Sequence, residues 1–315
     1  MAASDGRRPA LARRRLFEQR RIPTAQSALC DMKLRTNILF WLVLALAALF
    51  SAEAFADARF EPVRKQLAAD GFEAGWIDQI YGSPGVEFDL RGAASYFQHR
   101  EAKLNYDQFT DPASIQKARA YLKQHDAALS RAEKTYGVDR EVIAAILLVE
   151  TRLGTYVGRS STLNILSSLA ALSSAWVRDA AWIEMEKTPR LSRDRFDRWA
   201  EDKSGWAYRE LKAFLRYAAR EGLNPVDVTG SYAGAFGIAQ FIPSSILMYA
   251  ADGNGDGQVN LFQHADAIAS VGRYLKKNGW RPDMGKDQRF KVIYRYNHSE
   301  YYVETILEIA DKLKG

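Results

Sequence analysis

Glu150 ends the apolar run Ala144-Ala145-Ile146-Leu147-Leu148-Val149 and precedes Thr151-Arg152-Leu153-Gly154. A carboxyl group at the end of a buried helix loses solvation, which raises its pKa and favours the protonated form near neutrality. A general acid needs that form. The other reading of the position is a helix-end glutamate paired with Arg152 or another cation.

Three further segments carry groups that suit a polar ligand. In Gly230–Ser245, the glycines Gly230, Gly234 and Gly237 let backbone approach a ligand closely, and Ser231 and Gln240 offer hydrogen bonds. The same small residues also suit tight helix packing. Asp252–Gln263 follows the twelve-residue calcium loop, with oxygen ligands at Asp252, Asn254, Asp256 and Asn260, a carbonyl at Gln258, and Gly257 at the sharp turn. It departs at its last position, where Gln263 replaces a bidentate glutamate, and an ion-free Asx-rich turn is the alternative. Tyr294-Arg295-Tyr296-Asn297-His298-Ser299 combines rings and an amide, as sugar binding requires, although its tyrosines also suit a core.

The elements that must position these groups read mostly as helix. Apolar spacing predicts one helix over 113–136, stopped by Gly137, and a second after Asp139 that is apolar nearly all round and broken by Gly154. A buried helix is expected over 164–182 and a charged surface loop over 183–205. An amphipathic helix follows over 206–220, closed by Gly222 with Pro225 beyond. Helix is expected again over 265–278 and 301–313, and a short strand, or else helix, over 291–296.

Of 315 residues, 47% are apolar and 26% charged, which excludes a disordered or collagen-like chain. The single cysteine, Cys30, excludes a disulfide framework, a cysteine zinc site and an iron–sulfur cluster. The net charge of +6 is concentrated at the start. Residues 1–31 hold seven arginines against Asp5, Glu18 and Asp31, and residues 57–315 carry only +1. No nucleic-acid partner is expected, since the basic excess lies outside the folded body. Residues 1–31 read as an extension or a misplaced start. Residues 32–56, with Lys33 and Arg35, an apolar run from Ile38 to Phe50 and Ala54-Phe55-Ala56, read as a cleaved signal peptide. The run falls short of the roughly 20 residues of a membrane span, and membrane attachment is expected only if the segment stays uncleaved. Residues 57–315 then form the mature, exported domain, folded outside the cytoplasm.

V-E-T-x-x-G at Glu150, G-S-x-A-G-A-x-G-x-x-Q-F-x-P-S-S from Gly230, the calcium-type loop and Y-N-x-S from Tyr296 stand in one order. In that order they resemble the family of membrane-bound lytic murein transglycosylase B, from about residue 60 to the end. The resemblance implies a mainly α (α+β) fold, a lysozyme-like core with additional helices and an EF-hand-like calcium loop. It implies cleavage of the MurNAc-β-1,4-GlcNAc bond of peptidoglycan with formation of 1,6-anhydroMurNAc ends, and Glu150 as the single acid and base. It places Ser231, Gln240, Tyr274, Tyr296 and Asn297 along the sugar groove. Calcium falls to Asp252, Asn254, Asp256, Gln258 and Gln263, as a structural ion that the chemistry does not require. Peptidoglycan strands and cell-wall enzyme complexes are the partners it implies. The family often carries two arginines after L-A-x-L-S. Here Arg178 is followed by Asp179, so only the first is matched and recognition of the peptide stem is expected to differ. A non-catalytic peptidoglycan-binding scaffold and a hydrolytic lysozyme are the competing readings.

Overall fold

The computed structural model describes residues 58–89, 105–185 and 191–315. The extension and the signal segment lie outside the described residues. Helix α1 (58–69) turns at Gly71 into α2 (Ala74–Tyr81), where Glu73 caps the first turn by accepting from the N–H groups of Gly75 and Trp76. Further along run α3 (Asp107–Thr110), α4 (Pro112–Gln124), α5 (Asp126–Tyr136) and α6 (Arg140–Thr151). Then come α7 (Thr162–Ala171), α8 (Ala175–Met185), α9 (Arg193–Glu221), α10 (Pro243–Tyr249), α11 (His264–Lys277), α12 (Lys286–Tyr294) and α13 (Glu300–Lys314).

The centre of the core is α6, whose residues from Val142 to Leu148 are all buried. It packs against α13, α4 and α11, while α7 packs along α9. The carboxylate of Asp139, before α6, does not bond the helix N–H groups; it takes Arg289 Nη1 at 3.0 Å and Lys314.

Three expectations are corrected and one is narrowed. The helix expected over 113–136 breaks at His125, whose ring packs on Tyr121 and His264 at 4.3 and 4.4 Å. The helix expected over 164–182 is two, parted at Leu172-Ser173-Ser174. The loop expected over 183–205 is largely the first half of α9, 29 residues long. Phe196, Ala200, Ser204, Ala207 and Leu211 form its buried stripe, and the charges between them up to residue 205, which dominated the sequence pattern, are exposed or half-buried. Finally, of the two readings of 291–296, helix holds for 291–294, the end of α12, where Val292 and Ile293 are buried together, and a turn follows.

Among the described residues, strand is confined to β1 (Ser160–Ser161) paired antiparallel with β2 (Thr229–Gly230), Ser160 opposite Gly230. The pair fixes where the glycine segment begins. Gly158, at φ +95°, lies so near that an added Cβ would sit 2.0 Å from the Gly230 carbonyl oxygen.

Gly158→Ala therefore combines a left-handed backbone with an overlap that only backbone movement relieves. We expect a loss of at least about 2 kcal/mol in urea unfolding. A change within about 0.5 kcal/mol, the range of ordinary surface substitutions, would show that this close approach is not needed.

Candidate active site

Glu150 is the penultimate residue of α6, half-buried at the edge of the core. The helix stops at Thr151, not at Gly154 as the sequence implied, because Arg152 and Leu153 both adopt left-handed conformations, at φ 51° and 62°. Such geometry is costly for residues with side chains and persists only where surrounding contacts hold it. Thr151 supplies those contacts. Its hydroxyl donates to the Ile238 carbonyl at 2.8 Å and accepts from the Gly154 N–H at 2.9 Å. Arg152 turns away from Glu150, donating to Gln108 Oε1 at 2.5 Å and lying 5.6 Å over the Phe109 ring.

A cleft of about 350 Å³ opens here. Val149, Glu150, Gln240, Asn297 and Tyr302 line one part of it. Ser231, Tyr232, Ala233 and Ala235 of the glycine segment and Tyr106, Gln108 and Phe109 around α3 line the rest. Among the described residues, Glu150 is the only acidic side chain in that lining. The Tyr302 hydroxyl, from α13, donates to Glu150 Oε1 at 2.7 Å. Burial first, and then the negative charge of Glu150, push the Tyr302 phenol well above its ordinary pKa, so it stays protonated and a donor.

The glycine segment is folded onto itself. Ser231 N–H donates to the Ala235 carbonyl at 2.7 Å, and Ser231 Oγ accepts from the N–H groups of Ala233 and Ala235. With its lone pairs so engaged, the hydroxyl keeps its proton for a further acceptor. Gln240 holds a left-handed backbone at φ 47°, and its side-chain amide donates to the carbonyls of Val157 and Gly237 at 3.0 and 2.9 Å.

Of the residues expected in the groove, the cleft brings together Glu150, Ser231, Gln240 and Asn297. The two other tyrosines stand behind it. Tyr296 lies parallel to Tyr302, with centroids 6.3 Å apart, and donates to the Ala239 carbonyl at 2.6 Å. Burial, followed by the charge of Glu150 and then Tyr274, pushes its phenol upward. Tyr274 is buried edge-on to Tyr296 and Tyr249 and donates to the Arg295 carbonyl at 2.6 Å. Its ring also packs on Phe241 at 5.6 Å, and Tyr274 is not among the residues that line the cleft. Arg178 is also outside the cleft lining. Its guanidinium donates to the Leu172 carbonyl at 3.1 Å and pairs with Asp197 and Glu201 of α9 at 3.6 and 3.8 Å. The arginine that the sequence reading gave to the substrate thus joins α8 to α9.

Tyr302 escaped the sequence reading. It follows another tyrosine in the first turn of a terminal helix, and no spacing rule links it to Glu150. Burial separates the two, Tyr301 being 63% exposed and Tyr302 1%.

The loop from Asp252 to Gln263 stands apart from the cleft. Asp252 accepts from the N–H groups of Gly255 and Gly257 at 2.6 and 2.8 Å, and these bonds hold its carboxyl below the usual range. The Asn254 amide nitrogen donates to Asp256 Oδ2 at 2.7 Å and Gln263 Oε1 at 2.9 Å, so an N–H group bridges two of the expected ligand oxygens. The Gln258 N–H donates to Asp256 Oδ1. The donors are all oxygens, as a hard cation requires, and a turn of the Asn254 amide would present its oxygen. Among the described residues, no group of three or more His, Cys, Asp or Glu side chains is placed to hold a metal ion.

Comparison with known proteins matches these features. Membrane-bound lytic murein transglycosylase B of Escherichia coli is 38% identical over 173 residues, which cover 55% of this chain and 40% of that protein. The solved structure of the soluble lytic transglycosylase SltB1 from Pseudomonas aeruginosa has a TM-score of 0.65 at 24% identity, covering 81% of this chain and 98% of that one. The Escherichia coli lytic transglycosylase Slt35 in complex with calcium gives 0.63 at 24% identity, over 82% and 92%. SltB3 from Pseudomonas aeruginosa, solved with NAG-anhNAM-pentapeptide, gives 0.64 at 21% identity, over 84% and 79%. These likenesses show a mostly helical, lysozyme-like lytic transglycosylase fold. The family model described as "Transglycosylase SLT domain" matches residues 55–289, and the chain belongs to that family.

Proposed function

We propose that this chain is a lytic transglycosylase that cleaves the MurNAc-β-1,4-GlcNAc bond of peptidoglycan and leaves 1,6-anhydroMurNAc ends. The observation that carries the reading is Glu150, the one carboxyl group among the described residues of the cleft lining, held by Tyr302. A single carboxyl group suffices if it acts twice. Glu150 first protonates the glycosidic oxygen as the bond to the anomeric carbon breaks. The resulting carboxylate then takes the proton of the muramoyl 6-hydroxyl as that oxygen bonds to the anomeric carbon. No water is consumed, and Glu150 ends protonated as it began. A hydrolase of the usual kind needs a second carboxylate to activate water or attack the sugar, and the described lining holds none. Ser231, Gln240 and Asn297 contact the sugar and its substituents. SltB3, solved with NAG-anhNAM-pentapeptide, is a relative that holds such a glycopeptide.

The Asp252–Gln263 loop is proposed as a weak, structural calcium site, with Asp252, Asn254, Asp256, Gln258 and Gln263 as ligands. Slt35 in complex with calcium supports this reading. The loop braces the cleft, because Ile238 N–H donates to the Leu261 carbonyl at 2.8 Å. Export through residues 32–56 is the location that goes with a peptidoglycan substrate. Among the described residues, no helix is long and apolar enough to cross a membrane.

Glu150→Gln should lower turnover of purified sacculi by the upper end of the ~10²–10⁴-fold range of acid–base contributions. Tyr302→Phe should lower it by about 10- to 100-fold, since it removes one hydrogen bond to a charged group. Glycan binding should persist in both. Product masses recorded in ¹⁸O-water should show unlabelled anhydro ends from the wild type; labelled reducing ends would assign a hydrolase, and near-normal turnover of the glutamine variant would remove Glu150 from the chemistry.

With a neutral Gln263, calcium should raise the melting temperature only at about 10⁻⁴–10⁻³ M. Gln263→Glu should bring the midpoint down by at least about tenfold. No shift at any concentration in either protein would leave the loop as a turn.

The mature amino terminus tests export. Sequencing the secreted protein should begin near Asp57, and arginine-rich peptides from residues 1–31 in that material would count against cleavage.

A further inference from the structure

Away from the cleft, and sharing no lining residue with it, a cavity of about 760 Å³ lies between the α1–α2 corner and the end of α9. Phe72 and Trp76 form its aromatic wall. Their rings are nearly parallel, 13° apart, with centroids at 6.4 Å, and both remain partly exposed. Arg216 of α9 is exposed and lies 5.7 Å over the Phe72 ring. Its guanidinium makes no hydrogen bond or ion pair with any described residue, although it carries five donors. The neighbouring carboxylates are already engaged. Asp70 takes Lys212 at 2.6 Å and Tyr208 at 3.1 Å, and Glu73 caps α2.

We infer that this cavity is a second binding site for the proposed substrate polymer, and that it takes the carboxylate-bearing peptide stem rather than the glycan. The inference rests on the peptidoglycan reading above. The chemistry selects the ligand. A planar guanidinium over a ring, near the charge of Asp70 but with no hydrogen bond to a described residue, matches a carboxylate in fork geometry. Flat rings beside it take an aliphatic side chain. The carboxylates of Asp70 and Glu73 oppose a polyanion such as nucleic acid but tolerate a short peptide that bears a free amine. A strand held here by its stem would keep the enzyme on the polymer while the cleft releases its product, by raising the local concentration of uncut glycan.

The test is calorimetric titration of the full chain with an isolated stem tetrapeptide bearing a free carboxylate and a free amine. The peptide contains no glycosidic bond, so its binding is read independently of cleavage. The wild type and Glu150→Gln should bind it alike. Arg216→Ala should weaken binding by about tenfold or more, as loss of a charged hydrogen-bonding partner does, and amidation of the peptide carboxylate should do the same. Arg216→Lys should recover only part, and a soluble chitooligosaccharide in the cleft should not displace the peptide. Arg216 is exposed, so melting curves should show these variants folded. Failure of the wild type to bind at millimolar peptide would overturn the inference, as would indifference to Arg216→Ala, or displacement by the oligosaccharide. Failure to release anhydro ends from sacculi, with peptide binding intact, would instead overturn the catalytic reading.

Discussion

A buried apolar helix that carries a working carboxyl group must deliver that group to the rim of the core and then stop. In this chain the stop is made by Thr151, which holds the carbonyl of Ile238 with its hydroxyl while accepting the N–H of Gly154. The bond ties α6 to the glycine segment, which lies nearly ninety positions later in the chain. It also stabilises the left-handed Arg152 and Leu153, whose conformations would otherwise be unfavourable.

Behind the carboxyl group stands a series of phenols whose polarity is consumed in order. Tyr274 donates a hydrogen bond to the Arg295 carbonyl, Tyr296 to the Ala239 carbonyl, and Tyr302 to Glu150 itself. A buried phenol without an acceptor is costly, so each of these bonds fixes a ring as well as satisfying a donor. The rings then pack on one another, and only the last hydroxyl reaches a carboxyl group in the cleft.

The opposite wall depends on backbone rather than side chains. Phe236 and Ile238 donate to the Phe241 and Leu261 carbonyls. Asp266 is fully buried in the first turn of α11 and takes the N–H groups of Gly253 and Asn260 at 2.9 and 2.7 Å. Burial raises its pKa, and those bonds work against the rise. The loop is therefore organised from inside by one carboxylate, and the calcium proposed for it would add to an arrangement that already has a frame.

Local order was written plainly in the sequence where a signal and its cause lie close together. Gly137 and Gly222 end helices in left-handed conformations, Asp111 caps α4 through the N–H groups of Ala113 and Ser114, and the apolar run before Glu150 is buried as its composition demands. The same locality made Glu150, Ser231, Gln240 and Asn297 recognisable as candidates, since each sits in a motif readable within a few residues. What the sequence could not determine is which long-range partner each side chain meets. The charges of α9 masked a stripe that only packing against α7 makes buried. Arg178 looked free for a ligand until α9 brought Asp197 and Glu201 beside it. Tyr302 acquires its role only because α13 lies along α6, which puts its hydroxyl 2.7 Å from a carboxyl oxygen 152 residues earlier in the chain. Composition and spacing set the secondary structure and the chemical inventory; tertiary contact decided which groups are consumed in holding the fold and which remain to act, because a hydrogen bond is satisfied by whatever packing brings within reach.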